Sequence, residues 1–176
     1  MARFGRIPGL IEESSQVVYD TLLLVAGTAT YRFFTVPIGA AKSRLLTNMV
    51  VSGQIPAPQS LLVKAVRIIV KEATTVIADH CLNNSYVVFK VGEKEALVAP
   101  TMLFSAGAGT YNNITTDRAQ NGVPDARSLW ALAKPIQIGV GQNFYLDLIY
   151  DTAPVTAQAG VKVLVVLDGV LVRGVQ

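Results

Sequence analysis

Charge is scarce in this sequence. Lys, Arg, Asp and Glu together make up 15% of its 176 residues, against roughly 25% in an ordinary soluble domain. Hydrophobic residues reach 51% and the mean hydropathy is +0.43, enough to fill the core of one domain of this length. Few charges beside many apolar residues leave an exterior that water solvates poorly, as expected of a subunit that buries much of its outside against neighbours. The net charge of +3 is mild and spread along the chain. Direct contact with nucleic acid is therefore not expected.

Histidine and cysteine are scarcer still. His80 is the only histidine, so a site needing two or three imidazoles, such as the metal centre of a cupin-type enzyme, cannot be built from this chain alone. Cys81 is the only cysteine, which excludes an internal disulfide framework and leaves stability to packing, association or both. Asp79, His80 and Cys81 are consecutive. Sequence neighbours do not face one another on a helix or strand, so a half-buried thiol beside a surface histidine is expected rather than a nucleophilic dyad.

Other chemistry is thin. The GAGT at Gly107–Thr110 lacks the lysine and the strand-to-helix setting of a phosphate loop. Glu12, Glu13, Glu93 and Glu95 fall on a terminal arm and a turn, where solvated carboxylates are ordinary. Asp147 and Asp151 share a strand face and suit either a cation or a salt bridge. The lone Trp130, beside Leu129 and Leu132, reads as core or as an exposed anchor. No enzyme activity, cofactor or metal is expected. A secretory signal is also missing: MARFGRIPGLIEESS has no apolar run of seven residues, so synthesis in the cytoplasm is expected. Two uncharged windows, Leu45–Val63 and Ala96–Thr116, are long enough to span a bilayer. Both carry clustered Pro, Gly, Asn, Ser and Thr that would leave backbone groups unpaired in lipid.

What the sequence does have is β-branched residues between turn formers. In Leu45–Glu72, LLTNMVVSGQIPAPQSLLVKAVRIIVKE, the chain breaks at Ser52–Gly53, passes Pro56 and Pro58, and enters a run holding Val63, Val66, Ile68, Ile69 and Val70. That density favours a pleated surface, and the run reads as the longest interior strand, covered on both faces. The competing reading is an amphipathic helix, because Lys64, Arg67 and Lys71 lie at i, i+3 and i+7.

Elsewhere, Val17–Val25 and Tyr31–Val36 read as strands, ended by Gly27 and by Pro37 with Gly39. Thr74–Asn84 is the candidate for a short helix, stopped at Asn83–Asn84. Ser85–Val91 alternates, with Val87, Phe89 and Val91 on one face and Tyr86, Val88 and Lys90 on the other. Ala96–Phe104 reads as a strand or pair of strands interrupted at Pro100. A long connection, 106–128, follows and is expected at one end of the barrel, with Asn121-Gly122 a hairpin-type pair inside it. Ile136, Ile138 and Val140 resume the structure. In Phe144–Asp151, Phe144, Leu146, Leu148 and Tyr150 face inward while Tyr145, Asp147 and Asp151 face out. Val161–Val175 is either a hairpin turning at Asp168-Gly169 or one long strand bent there, the latter slightly favoured because Val161, Val163, Val165, Leu167 and Leu171 stay in phase.

The expected fold is all-β: a single eight-stranded antiparallel jelly roll with one short helix and a long loop. Residues 1–16 form an N-terminal arm and 17–176 the domain. The arm reads as a disordered terminus or as a segment that orders against a neighbour through Arg3, Phe4, Arg6 and Ile7. The other contact candidates are Gln54, Pro56, Pro58 and Gln59, in the proline-bearing loop, together with exposed apolar strand edges.

The run LLTNMVVSGQIPAPQSLLV at Leu45–Val63 and the closing LDGVLVRGVQ, with about eight short strands and few charges, resemble the single vertical jelly-roll major capsid proteins of tailless icosahedral bacteriophages with an internal membrane. In size and organisation the chain is nearest to the smaller major capsid protein of the Thermus phages in that family. The resemblance covers roughly Val17–Gln176. It implies a structural role in a virion, an upright barrel that pairs with itself as a dimer and with a second, larger capsid subunit, one end facing the membrane, in a thermophilic setting. The larger subunit of the family carries an inserted turret, for which this chain has no room. The alternative is a jelly-roll module that binds carbohydrate through Tyr111, Tyr145, Tyr150 or Trp130.

Overall fold

The β-branched run is a strand, and its burial pattern shows why the helical spacing of its charges misleads. In Ser60–Lys71, Leu61 and Val63 face the core, then Val66, Ile68 and Val70 do so with the parity shifted by one, while Lys64 is exposed. A β-bulge at Lys64 produces the shift: pairing slips between Val63 and Ala65 on one neighbour and at Asp168/Gly169 on the other. The extra residue lets apolar side chains face inward on both sides of the slip.

The computed structural model describes residues 11–71, 80–104, 110–112, 119–121, 130–153 and 161–174. Its strands are β1 (Ile11–Leu23), β2 (Thr30–Phe33), β3 (Ser60–Lys71), β4 (Ser85–Val91), β5 (Lys94–Pro100), β6 (Thr110–Asn112), β7 (Ala119–Asn121), β8 (Trp130–Ile138), β9 (Phe144–Tyr150) and β10 (Lys162–Gly174). Two four-stranded sheets have the orders β1-β10-β3-β8 and β2-β9-β4-β5, every pair antiparallel, and β6-β7 make a small separate ribbon. Leave the ribbon aside, and the first strand pairs with the last, the second with the seventh, the third with the sixth and the fourth with the fifth. That nesting, wrapped into two facing sheets, is the jelly roll.

Phe33, Phe34, Phe89, Phe104 and Phe144 are fully buried between the sheets with Leu61, Ile138, Leu146, Leu148 and Leu167. Phe89 meets Phe144 edge to face at 6.4 Å between centroids, a preferred aromatic geometry. Tyr31 folds back on the β1–β2 turn, its hydroxyl accepting from Val25 N–H at 2.9 Å and donating to Val25 C=O at 2.7 Å. One end of the barrel carries the connections after β1, β3, β5 and β9, and the other those after β2, β4 and β8.

Several expectations need correction. β1 starts at Ile11, so the strand extends six residues into the segment assigned to the arm. Its apolar alternation also points the other way: Val17 and Leu23 are exposed, whereas Val18 and Asp20 face the core. β3 is covered on one face only, and β10, also interior, is one residue longer, at 13 against 12. β10 is a single strand through Asp168-Gly169, which is the favoured reading. β5 ends at Pro100, which has no N–H for a ladder, and Thr101–Phe104 is a 3-10 turn instead of more strand. Residues 80–83 are helical and the helix ends at Asn83, as expected; positions 72–79, which include its expected start at Thr74, lie outside the described residues. The excursion expected in 106–128 is present as the β6–β7 ribbon, but Asn121 ends it instead of making its turn.

Candidate assembly surfaces

The loop joining β2 to β3 is the largest described structure at its end of the barrel, and a buried charge fixes it. Asp20 on β1 is fully buried. One carboxylate oxygen accepts from Lys42 Nζ at 2.6 Å and the other from Phe34 N–H at 2.7 Å. Phe34 sits at φ +70°, a conformation costly for a bulky side chain, and the Asp20 hydrogen bond holds it there. Gly53, also at positive φ, donates to Phe34 C=O and accepts from Phe144 N–H, each at 2.8 Å. The loop is thus tied to β1, β2 and β9.

Of the contact candidates in this loop, Gln54 donates from its side chain to Asn143 Oδ1 at 2.6 Å and is half-buried. Pro56 and Gln59 are half-buried, joined by Gln59 N–H to Pro56 C=O at 3.0 Å, and Pro58 is exposed. Ile55 plugs the core between them. The loop therefore presents a fixed surface rather than a loose one. Arg3, Phe4, Arg6 and Ile7 lie outside the described residues.

The exposed apolar side chains nearby escaped the sequence reading. Leu45 is 86% exposed, Val50 67%, and Val140, on the adjacent β8–β9 turn, 56%. Leu45 and Val50 flank a segment whose other members turn inward: Thr47 and Met49 are buried. LLTNMVV carries no alternation that marks them, since Leu45 shares its parity with the buried Thr47 and Met49. At the opposite end Val25, Met102 and Leu103 are exposed too. Single exposed apolar residues are ordinary on a soluble domain.

The outer sheet faces hold the charges. On the β2-β9-β4-β5 face Arg32 grips Asp147 with two bonds, of 2.8 and 3.0 Å, and lies 4.1 Å over the Tyr145 ring. Donating to the Asp147 carboxylate raises the Arg32 pKa above its ordinary value. Asp147 thus belongs to a salt bridge, while Asp151 lies exposed beyond the strand end; the pair does not converge on a cation. On the β1-β10-β3-β8 face a cleft lined by Gln16, Val17, Lys64, Asp168 and Gly169 opens beside the β3 bulge. Arg67 Nη2 bonds Asp168 Oδ1 there at 2.6 Å.

His80 and Cys81 do meet a common group, although not each other. Cys81 Sγ lies 2.7 Å from the Tyr150 hydroxyl, and the His80 ring stacks on Tyr150 at 6.2 Å. Burial pushes the Cys81 thiol up to about 11 and the Tyr150 hydroxyl well above its ordinary value. A protonated thiol is a poor nucleophile. Tyr150 is a core residue, and Tyr145 carries Arg32 over one face of its ring. The side chains of Tyr111 and Trp130 lie outside the description.

Among the described residues no group of three or more potential ligands could hold a metal ion, and no helix is long and apolar enough to cross a membrane. The sequence matches no protein-family model, and comparison with curated proteins gives no match.

Proposed function

We propose that the chain is a structural capsid subunit of an icosahedral, membrane-containing virus, made in the host cytoplasm and resident in the virion shell. The observation that carries the reading is a closed jelly-roll core whose described surface leaves large apolar side chains exposed, Leu45 and Val50 foremost. The low charge content of the sequence supports it, since an assembly subunit keeps its exterior for neighbours. The shell contacts are the arm around Arg3 and Phe4, the anchored loop with Gln54 to Gln59, and the exposed apolar side chains. Its partners are further copies, with a dimer as building block, and a second, larger capsid subunit, one barrel end facing the internal membrane. Electron microscopy of the concentrated chain, alone and with its co-expressed larger partner, tests this: regular oligomers, sheets or shells are expected, and uniform single particles of monomer size in both samples overturn it.

A further inference from the structure

β1 is an edge strand whose two halves are treated differently. From Val17 to Asp20 the free edge is capped: Asn48 N–H donates to Tyr19 C=O at 3.3 Å, Asn48 Oδ1 accepts from Tyr19 N–H at 2.9 Å, and Asn48 Nδ2 donates to Val17 C=O at 2.7 Å. Thr47 Oγ1 adds a bond to Tyr19 C=O at 3.1 Å. From Ile11 to Gln16 every side chain is exposed, and among the described residues only β10 pairs with this half. An uncapped edge is a template for another strand.

The cap also fixes which residues can bond outward. Val17 and Tyr19 present their backbone groups to the free edge, and pairing with β10 runs without a slip from Leu23 to Ile11. Alternation then puts Ile11, Glu13 and Ser15 on the open edge, with Glu12, Ser14 and Gln16 turned to β10.

We infer that the Ile11–Val17 edge pairs antiparallel with the same edge of a second copy, across a two-fold axis at Ser14, joining two four-stranded sheets into one of eight. Opposed residues in an antiparallel ladder turn both toward or both away from each other, so the axis must pass through a residue. An axis at Glu12 or Glu13 sets like carboxylates against each other, which is unfavourable. An axis at Ser15 sets Ile11 against Tyr19, whose N–H and C=O the cap both takes, whereas at Ser14 the second strand reaches only Val17, of which the cap takes the C=O alone. At Ser14 the pairs are Glu13 with Ser15, Glu12 with Gln16, and Ile11 with Val17. The last brings together two exposed apolar side chains, 62% and 42% accessible, where the open edge ends and the Asn48 cap begins. Glu12 is already neutralised within its own subunit by Arg173 at 2.6 Å. The segment IEESSQV is close to a palindrome in chemical character, which is what an isologous contact requires.

This contact deepens the assembly reading and rests on it for the premise that copies meet. Ser14→Cys places two thiols at a non-hydrogen-bonded pair, about 4.5 Å apart at Cα, within disulfide range. The native Cys81 is buried and contributes little background. Under mild oxidation Ser14→Cys is expected to cross-link into dimers at least tenfold faster than Ser15→Cys, whose thiols lie on diagonal, more distant positions. Ser15→Pro removes an N–H that faces the open edge and leaves the β1–β10 bonds in place; it is expected to melt like the parent and self-associate about tenfold or more weakly. Equal cross-linking of the two cysteine variants, or undiminished association of a folded Ser15→Pro chain, overturns the contact. If the parent chain still forms oligomers in that case, the assembly reading survives; a parent that never associates removes both.

Discussion

Asp20 shows how much can depend on one side chain in a core of hydrocarbons. Its carboxylate is fully buried, the Lys42 side chain is 9% exposed, and both oxygens are occupied by Lys42 and the Phe34 N–H. Removing one member strands the other in a dry site, which typically costs about 3–5 kcal/mol. Asp20→Ala is therefore expected to lower the urea midpoint severely. Asp20→Leu with Lys42→Met, which removes both charges, is expected to recover part of that loss, and a double mutant no more stable than Asp20→Ala contradicts the pairing. Cys81 gives the pH-dependent counterpart. Burial raises its thiol from 9.0 to about 11, so from pH 9 upward the unfolded chain releases a proton that the folded chain keeps. Stability then falls between about pH 9 and 11 and is fully present below. Comparing alkaline denaturation of the parent and Cys81→Ala checks this: the parent is expected to lose more stability across that window.

At the scale of elements, Gly169 carries the junction of β10 with β3. A Cβ there would lie 2.4 Å from the Leu62 carbonyl oxygen, a backbone atom that cannot swing aside. Gly169→Ala is expected to cost about 1–3 kcal/mol by overpacking, read as a shift in melting temperature, whereas no shift would mean the strands separate easily at the bulge. Asp168-Gly169 is a hairpin signal in sequence, yet β10 runs through it because β1 pairs with it from Lys162 to Gly174 and β3 from Lys162 to Val172, on either side of the dipeptide. Where alternation was clean, the sequence was legible: Ser85–Val91 is β4 residue for residue, and Phe144, Leu146, Leu148 and Tyr150 all face the core. β1 was misread because its outward face holds the more apolar set, Val17 and Leu23, while its inward face holds Asp20. Hydrophobicity cannot report the direction of a strand whose buried face contains a charge and whose exposed face is apolar. The contact candidates were legible only as a loop between prolines. Their fixation by Asp20, Gly53 and Asn143 depends on residues far away in sequence.

For the whole molecule, the nested pairing of eight strands follows from closing every hairpin onto its neighbour, which leaves β1, β8, β2 and β5 as sheet edges. Ordinary soluble domains surround such a core with charge; this chain spends few charges and several of them on internal pairs, Arg32–Asp147, Lys42–Asp20 and Arg67–Asp168. The exposed Leu45 and Val50 then face water without compensation. Leu45→Glu with Val50→Glu is expected to leave the melting temperature within a few degrees of the parent, since neither side chain is packed, and to reduce association measured by light scattering. The most direct test of the account is sedimentation velocity of the parent chain over a wide concentration series. A weight-average sedimentation coefficient that climbs with concentration through dimer to larger species is expected, and a single monomeric boundary at every concentration would contradict the proposal that this exterior exists to be covered by copies of itself.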